Sequence, residues 1–326
     1  MTKRSSFEVV KAAIGFEKPV RLPIEDLIHP ESSDIVGVGF EPTIWKWDRI
    51  AEGTEECTDL FGCVRRRHDN GIGEVHTPAM AGWHQFDNYT MPDMQSLKNI
   101  SKKQLDILPD DKFVLGDLGE FLFKVFDIRG FENAMLDFAL YPGEMRELIK
   151  KLTDFAIERT RMYADMGGIH CISMYDDWGT QDSMLISPAQ WREFFLDDYR
   201  RLFDVAHEHH MYIYFHCCGA MGPIMPDLID AGVDIFNFDQ PRLHGIKELS
   251  DQYAGKVAFS CPVDIQATLP KGDQKLIEQE AKELVKYLNH DGGFIAKIYY
   301  SWEENSDLDF DPAQYSKDIF ESIHLI

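Results

Sequence analysis

ISPAQWREFFLDDYRRLFDVAHEHHMYIYFHCCGAMGPIMPDLIDAGVDIFN, residues 186–237, carries the pattern from which the fold is read. Ser187 and Pro188 make a helix start, with serine as N-cap and proline at the first helical position, where a backbone N–H has no partner to lose. From Pro188 to His210 charged residues alternate with Trp, Phe, Leu and Val at helical spacing. A short apolar run follows, Tyr212-Ile-Tyr-Phe-His-Cys-Cys218, and after one more helical stretch comes another, DIFNFDQ at 234–240. Helix, strand, helix, strand is the repeat of a parallel sheet wrapped by helices.

The same alternation extends both ways. The predicted strands are FVLGDLG (113–119), IHCISMY (169–175), the two runs above, KVAFSCPVD (256–264) and GGFIAKIYY (292–300). Amphipathic stretches at Pro142–Met166 and Leu276–Leu288 supply helices between them. An open doubly wound sheet would share this rhythm, but no glycine-rich phosphate turn follows the first strands. The expectation is therefore an α/β chain forming a single (β/α)8 TIM barrel over residues 1–326, with an elaborated N-terminal segment. Residues 1–110 are expected to form a cap plus the first strand, near Ile35 to Val38, with Trp45, Trp47 and Trp83 in loops. There is no internal repeat or low-complexity tract.

Composition narrows the function. Of 326 residues 44% are hydrophobic, with 22 Phe, 12 Tyr and 6 Trp, enough for one large core. A formal charge of -23 makes the average surface repel polyphosphate, so nucleic acid and anionic membranes are disfavoured as partners. The N-terminal apolar runs are short and broken by Lys, Glu and Pro, unlike a signal peptide or a membrane span, which leaves the cytoplasm as the expected location. Six cysteines without an export signal read as reduced thiols, available to a metal.

In a barrel of this kind the reactive groups stand at the carboxyl ends of the strands. On a strand His216 and Cys218 project to the same side, because the side-chain period is two, and Cys217 to the other. Imidazole and thiolate together suit zinc, and with a third ligand and an open position the pair would be a catalytic site. Buried structural thiols are the plain alternative. Cys261 ends another predicted strand and is a candidate for the third ligand or for an ordinary core cysteine. Asp176 and Asp177 end a third, where one is expected to work as acid or base and the other to hold a turn. Trp178, Gln181, Asp239, Tyr299 and Trp302 are candidates for binding substrate. His207, His209 and His210 end an amphipathic helix and read as a solvated face.

Phe215-His-Cys-Cys-Gly219 resembles the Phe-His-x-Cys-Gly element of the uroporphyrinogen decarboxylase superfamily. Residues 186–237, DDWGTQ (176–181), VDIQATLP (263–270), GGFI (292–295) and EKPVRLPI (17–24) are similar to its methyltransferase-like branch. The resemblance covers roughly the last two-thirds of the chain and implies a (β/α)8 barrel, with His216 and Cys218 as zinc ligands. It departs at two places. The arginine-rich N-terminal loop with which the decarboxylases hold substrate carboxylates is missing, since Arg21 stands alone and Arg65, Arg66 and Arg67 lie in another context. The cysteine that serves the methyltransferases as third ligand after the GGFI strand is missing too, and Cys261, Asp239 or no metal at all are the alternatives.

The activity expected from the resemblance is a corrinoid-linked methyltransferase of the O-demethylase or a related type. It would move a methyl group between a small methylated donor and a corrinoid (cobalamin) protein or thiol, with Zn2+ at His216 and Cys218. Metal-free decarboxylation by the aspartates and a non-catalytic partner of a corrinoid protein are the rival expectations.

Overall fold

The computed structural model describes residues 5–26, 28–39, 45–68, 73–300 and 309–325. After a helix at Ser6–Ile14 come two barrel strands, β1 (Ile24–Glu25) and β2 (Ile35–Val38). An antiparallel sheet follows: β3 (Asp48–Ala51), β4 (Thr54–Thr58), β5 (Val64–His68) and β6 (Glu74–Thr77). Six further barrel strands come next, β7 (Phe113–Asp117), β8 (Cys171–Tyr175), β9 (Tyr212–His216), β10 (Ile235–Asn237), β11 (Ala258–Cys261) and β12 (Phe294–Lys297). Each of these six lies inside one of the predicted apolar runs. The first strand does not lie where the sequence suggested. Ile35–Val38 is the second strand, and two-residue β1 is too short to leave a periodic signal.

The eight barrel strands run in the order β1-β12-β11-β10-β9-β8-β7-β2, every neighbouring pair parallel. Side chains help to join the last edge to the first. The Asp34 carboxylate accepts from the Ile24 amide (2.9 Å), the Asp34 amide donates to the Ile24 carbonyl (2.7 Å), and Ser33 Oγ accepts from the Asp26 amide (2.9 Å). Arg21 grips Asp34 with both guanidinium nitrogens. The result is a nearly closed (β/α)8 TIM barrel. The predicted helix at Pro142–Met166 has those bounds, and Pro188–Trp191, Arg192–Leu196 and Asp197–Glu208 continue one another with a wide turn in the middle.

Strand parity sorts the side chains into two cores. Ile35, Phe113, Leu115, Cys171, Tyr214, Ile235, Ala258 and Ile295 face inward. Val10 and Ile14 of the helix Ser6–Ile14 belong to the same cluster, so this helix plugs the amino end of the barrel. It is fixed by a capping box between Ser5 and Glu8. Val36, Val114, Ile172, Phe215, Phe236, Phe259 and Phe294 face outward under the helices.

In the N-terminal sheet Glu55 lies opposite Arg67 and Glu56 opposite Arg66. Arg65 and Arg67 also cover the rings of Trp45 and Trp47, at 4.8 and 4.3 Å from their centroids. Among the described residues no helix is long and apolar enough to cross a membrane.

Candidate metal centre

β9 brings His216 to the carboxyl mouth of the barrel, with the imidazole pointing inward and almost fully buried. The chain then turns, and the Cys218 thiol comes back to lie 3.4 Å from His216 Nε2. The loop after β8 contributes the third group, Asp177, whose Oδ1 is 3.7 Å from the same nitrogen. Asp177 is held there by the Cys218 amide, which donates to Oδ1 at 2.7 Å. The two loops touch at a pair of glycines. A Cβ on Gly219, where φ is +77°, would overlap the Gly179 carbonyl, and a Cβ on Gly179 would meet the Ala220 amide. Ala220 N donates to Thr180 O at 2.7 Å across this seam.

The ligand atoms of Asp177, His216 and Cys218 all lie within 4.8 Å of one another. A tetrahedral ion with bonds of about 2.0–2.3 Å sets its ligands roughly 3.3–3.8 Å apart, so the shorter separations already suit zinc. The donor set of one imidazole, one thiolate and one carboxylate suits it too. Without a cation, burial and the Asp177 carboxylate push the Cys218 thiol up to about 12. A divalent ion is the species that would make that thiol a thiolate at neutral pH.

Below the cluster lies a buried polar layer. His216 Nδ1 is 2.6 Å from Asn237 Oδ1, and Lys297 Nζ donates to Asn237 Oδ1 and to Asp239 Oδ1, both at 2.9 Å. Burial alone would raise the Asp239 carboxyl, yet the adjacent Lys297 ammonium holds it below the ordinary carboxylate range. One layer further down, Glu25 accepts from Tyr214 and Ser260.

Several candidate residues have other tasks. Asp176 is fully buried and accepts from the amides of Phe121, Leu122 and Phe123 (2.9, 3.1 and 3.0 Å) and from the Tyr199 hydroxyl. It holds the β7 loop in place, and Asp177 is the aspartate that faces the cluster. Trp178, expected against substrate, is completely buried, with its Nε1 donating to Tyr199 Oη (2.8 Å) and its ring packed on Phe195. Asp239 is engaged by Lys297, and does not join the three ligand atoms. Gln181 is exposed and donates to Gln240 Oε1 at 3.0 Å. Tyr299 lies half-buried just past β12, and Trp302 falls outside the described residues.

Cys261 does not reach His216. Ser260 points into the barrel to Glu25, so its neighbour Cys261 points out into the apolar layer under the helices. Cys261→Ser is accordingly expected to leave bound metal unchanged while costing about 1–3 kcal/mol for a hydroxyl buried among apolar groups. Elemental analysis and thermal melting read the two effects separately, and a fall in metal content would contradict this placement.

The sequence did not single out Asp177 as a candidate ligand, nor Asn237 and Lys297 at all. A lysine inside GGFIAKIYY, a run buried on both faces, was the available signal for an inward charge.

A model of the uroporphyrinogen decarboxylase (URO-D) family matches residues 126–298, just over half of the chain. A methylated-thiol–coenzyme M methyltransferase from Methanosarcina mazei is 25% identical over 158 residues, which are 48% of this chain and 41% of that protein. The match thus spans about two fifths of the relative's length. A solved methyltransferase structure from Methanosarcina mazei superposes with a TM-score of 0.67 at 14% identity, covering 90% of this chain and 93% of that one.

Proposed function

From a chain that belongs to the uroporphyrinogen decarboxylase (URO-D) family, we propose a zinc-dependent methyltransferase that moves a methyl group between a small methylated donor and a corrinoid protein or thiol. The observation that carries this reading is the cluster of Asp177, His216 and Cys218 at the barrel mouth. Three protein ligands leave one tetrahedral position for a substrate atom, the arrangement of a catalytic rather than a structural zinc. When bound, the ion would supply Lewis acidity to the heteroatom that carries or receives the methyl group.

The chain's own residues prepare the site. Asn237 orients His216, the Cys218 amide holds Asp177, and the Lys297–Asp239 pair keeps charge balanced beneath them. Gln181 and Gln240 offer hydrogen bonds to a polar substrate end.

A porphyrinogen decarboxylase needs arginines ready for several carboxylates. Here Arg65 is taken by Asp59 and Asp127, Arg66 by Glu56 and Arg67 by Glu55. The test pairs elemental analysis with two assays. About one zinc per chain is expected, by the three-ligand pattern, together with methylcobalamin formation from methylated thiols or aromatic ethers plus cobalt(I) corrinoid. Coproporphyrinogen formed from uroporphyrinogen, with no methylcobalamin, would overturn the proposal.

A further inference from the structure

We infer that Asn237 and Lys297 are positioning residues, which together lock His216 in the tautomer that carries its proton on Nδ1 and leaves Nε2 as a bare lone pair facing Cys218 and Asp177. The inference takes its purpose from the metal reading above, but the proton on Nδ1 is fixed by the hydrogen bonds alone, and Nε2 is bare whenever the imidazole is neutral.

The argument starts from the Asn237 amide, whose two ends have opposite polarity. Its Nδ2 is 2.7 Å from the Ser260 carbonyl oxygen, a group that only accepts. Its Oδ1 therefore faces the other way. There it meets Lys297 Nζ at 2.9 Å, and an ammonium can only donate, so the same orientation is required from both sides. A carbonyl oxygen has two lone pairs. One takes the Lys297 proton, and the other can bind His216 Nδ1, 2.6 Å away, only if that nitrogen brings the hydrogen.

Lys297 is itself fixed. Burial alone would favour its neutral form, but the charges of Asp239 and Glu25 raise its affinity for the proton. Its second bond runs to Asp239 Oδ1, and Asn237 Nδ2 is 3.3 Å from that same oxygen. Four residues, Asn237, Ser260 and Lys297 on the neighbouring strands β10, β11 and β12 and Asp239 in the turn after β10, thus determine which nitrogen of one imidazole carries the proton. Partners of this kind set the tautomer of metal-binding histidines, and their loss commonly weakens metal affinity about 10–100-fold.

The experiment measures 15N chemical shifts of His216 in the metal-free protein at a pH raised until its imidazole is neutral, and Co2+ and Zn2+ affinity by titration. In the wild type, Nδ1 is expected to show the protonated and Nε2 the unprotonated shift. Asn237→Leu is expected to mix the tautomers and lower metal affinity about 10–100-fold. Asn237→Asp, which keeps an acceptor for Nδ1 but loses the donor to Ser260, is expected to restore the Nδ1 proton. Lys297→Met strands a buried carboxylate, so the charge-neutral Lys297→Met with Asp239→Asn is the informative variant, with a shift in the same direction as Asn237→Leu.

A folded Asn237→Leu protein with wild-type His216 shifts would overturn the inference, as would a wild type protonated on Nε2. A wild type with the Nδ1 proton that binds neither metal would uphold the tautomer lock and refute the zinc reading instead.

Discussion

In Cys218→Ser, zinc is expected to fall from about one ion per chain to trace levels, and methyl transfer by roughly a thousandfold, which corresponds to about 4 kcal/mol of lost transition-state stabilisation. The size follows from what remains. Only Asp177 and His216 are left, and a serine hydroxyl does not ionise at neutral pH to replace the thiolate. His216→Ala is expected to do the same, and both variants should fold, because the cluster lies at the mouth rather than in the packed layers. Inductively coupled plasma analysis after gel filtration reads the metal. A Cys218→Ser protein that keeps its zinc would remove Cys218 from the site.

The second large effect separates two adjacent aspartates. Asp176→Ala is expected to lower stability by about 3–5 kcal/mol, since it strands three buried amides and the Tyr199 hydroxyl. For a chain of this size that lowers Tm by roughly 4–7 °C. Asp177→Ala, measured on metal-free protein so that ligand binding does not contribute, is expected to change Tm by no more than about 2 °C, because its side chain is partly exposed and loses one hydrogen bond. Its metal affinity should collapse. Equal melting shifts in the two variants would refute the division of labour.

Much of the barrel was legible because its strands are buried on both faces and read as continuous apolar runs between amphipathic helices. The inward direction of His216 follows from strand parity, whereas Cys218 stands past the last paired residue of β9 and meets His216 because the chain turns back there. Parity also decides against Cys261, but the inward phase of β11 is set by Ser260 reaching Glu25 across the barrel, a contact 235 positions apart in sequence. Asp176 and Asp177 sit in a turn, where no period applies, and only the three amides of the neighbouring loop distinguish them. The N-terminal sheet was hidden for a related reason. Its strands are stabilised by Arg–Glu pairs across the ladder, so they lack the apolar alternation by which strands are recognised.

The helix Ser6–Ile14 covers one end of the barrel with Val10 and Ile14, and behind it the interior is filled by Ile35, Phe113, Leu115 and Tyr214, so no passage runs through the cylinder and a ligand reaches the cluster from the carboxyl mouth. On the methyl-transfer reading proposed above, a small donor and a protein-borne corrinoid would share that one doorway, and the docked protein would block it. Steady-state kinetics is then expected to show an ordered mechanism, donor first, with inhibition by excess corrinoid protein.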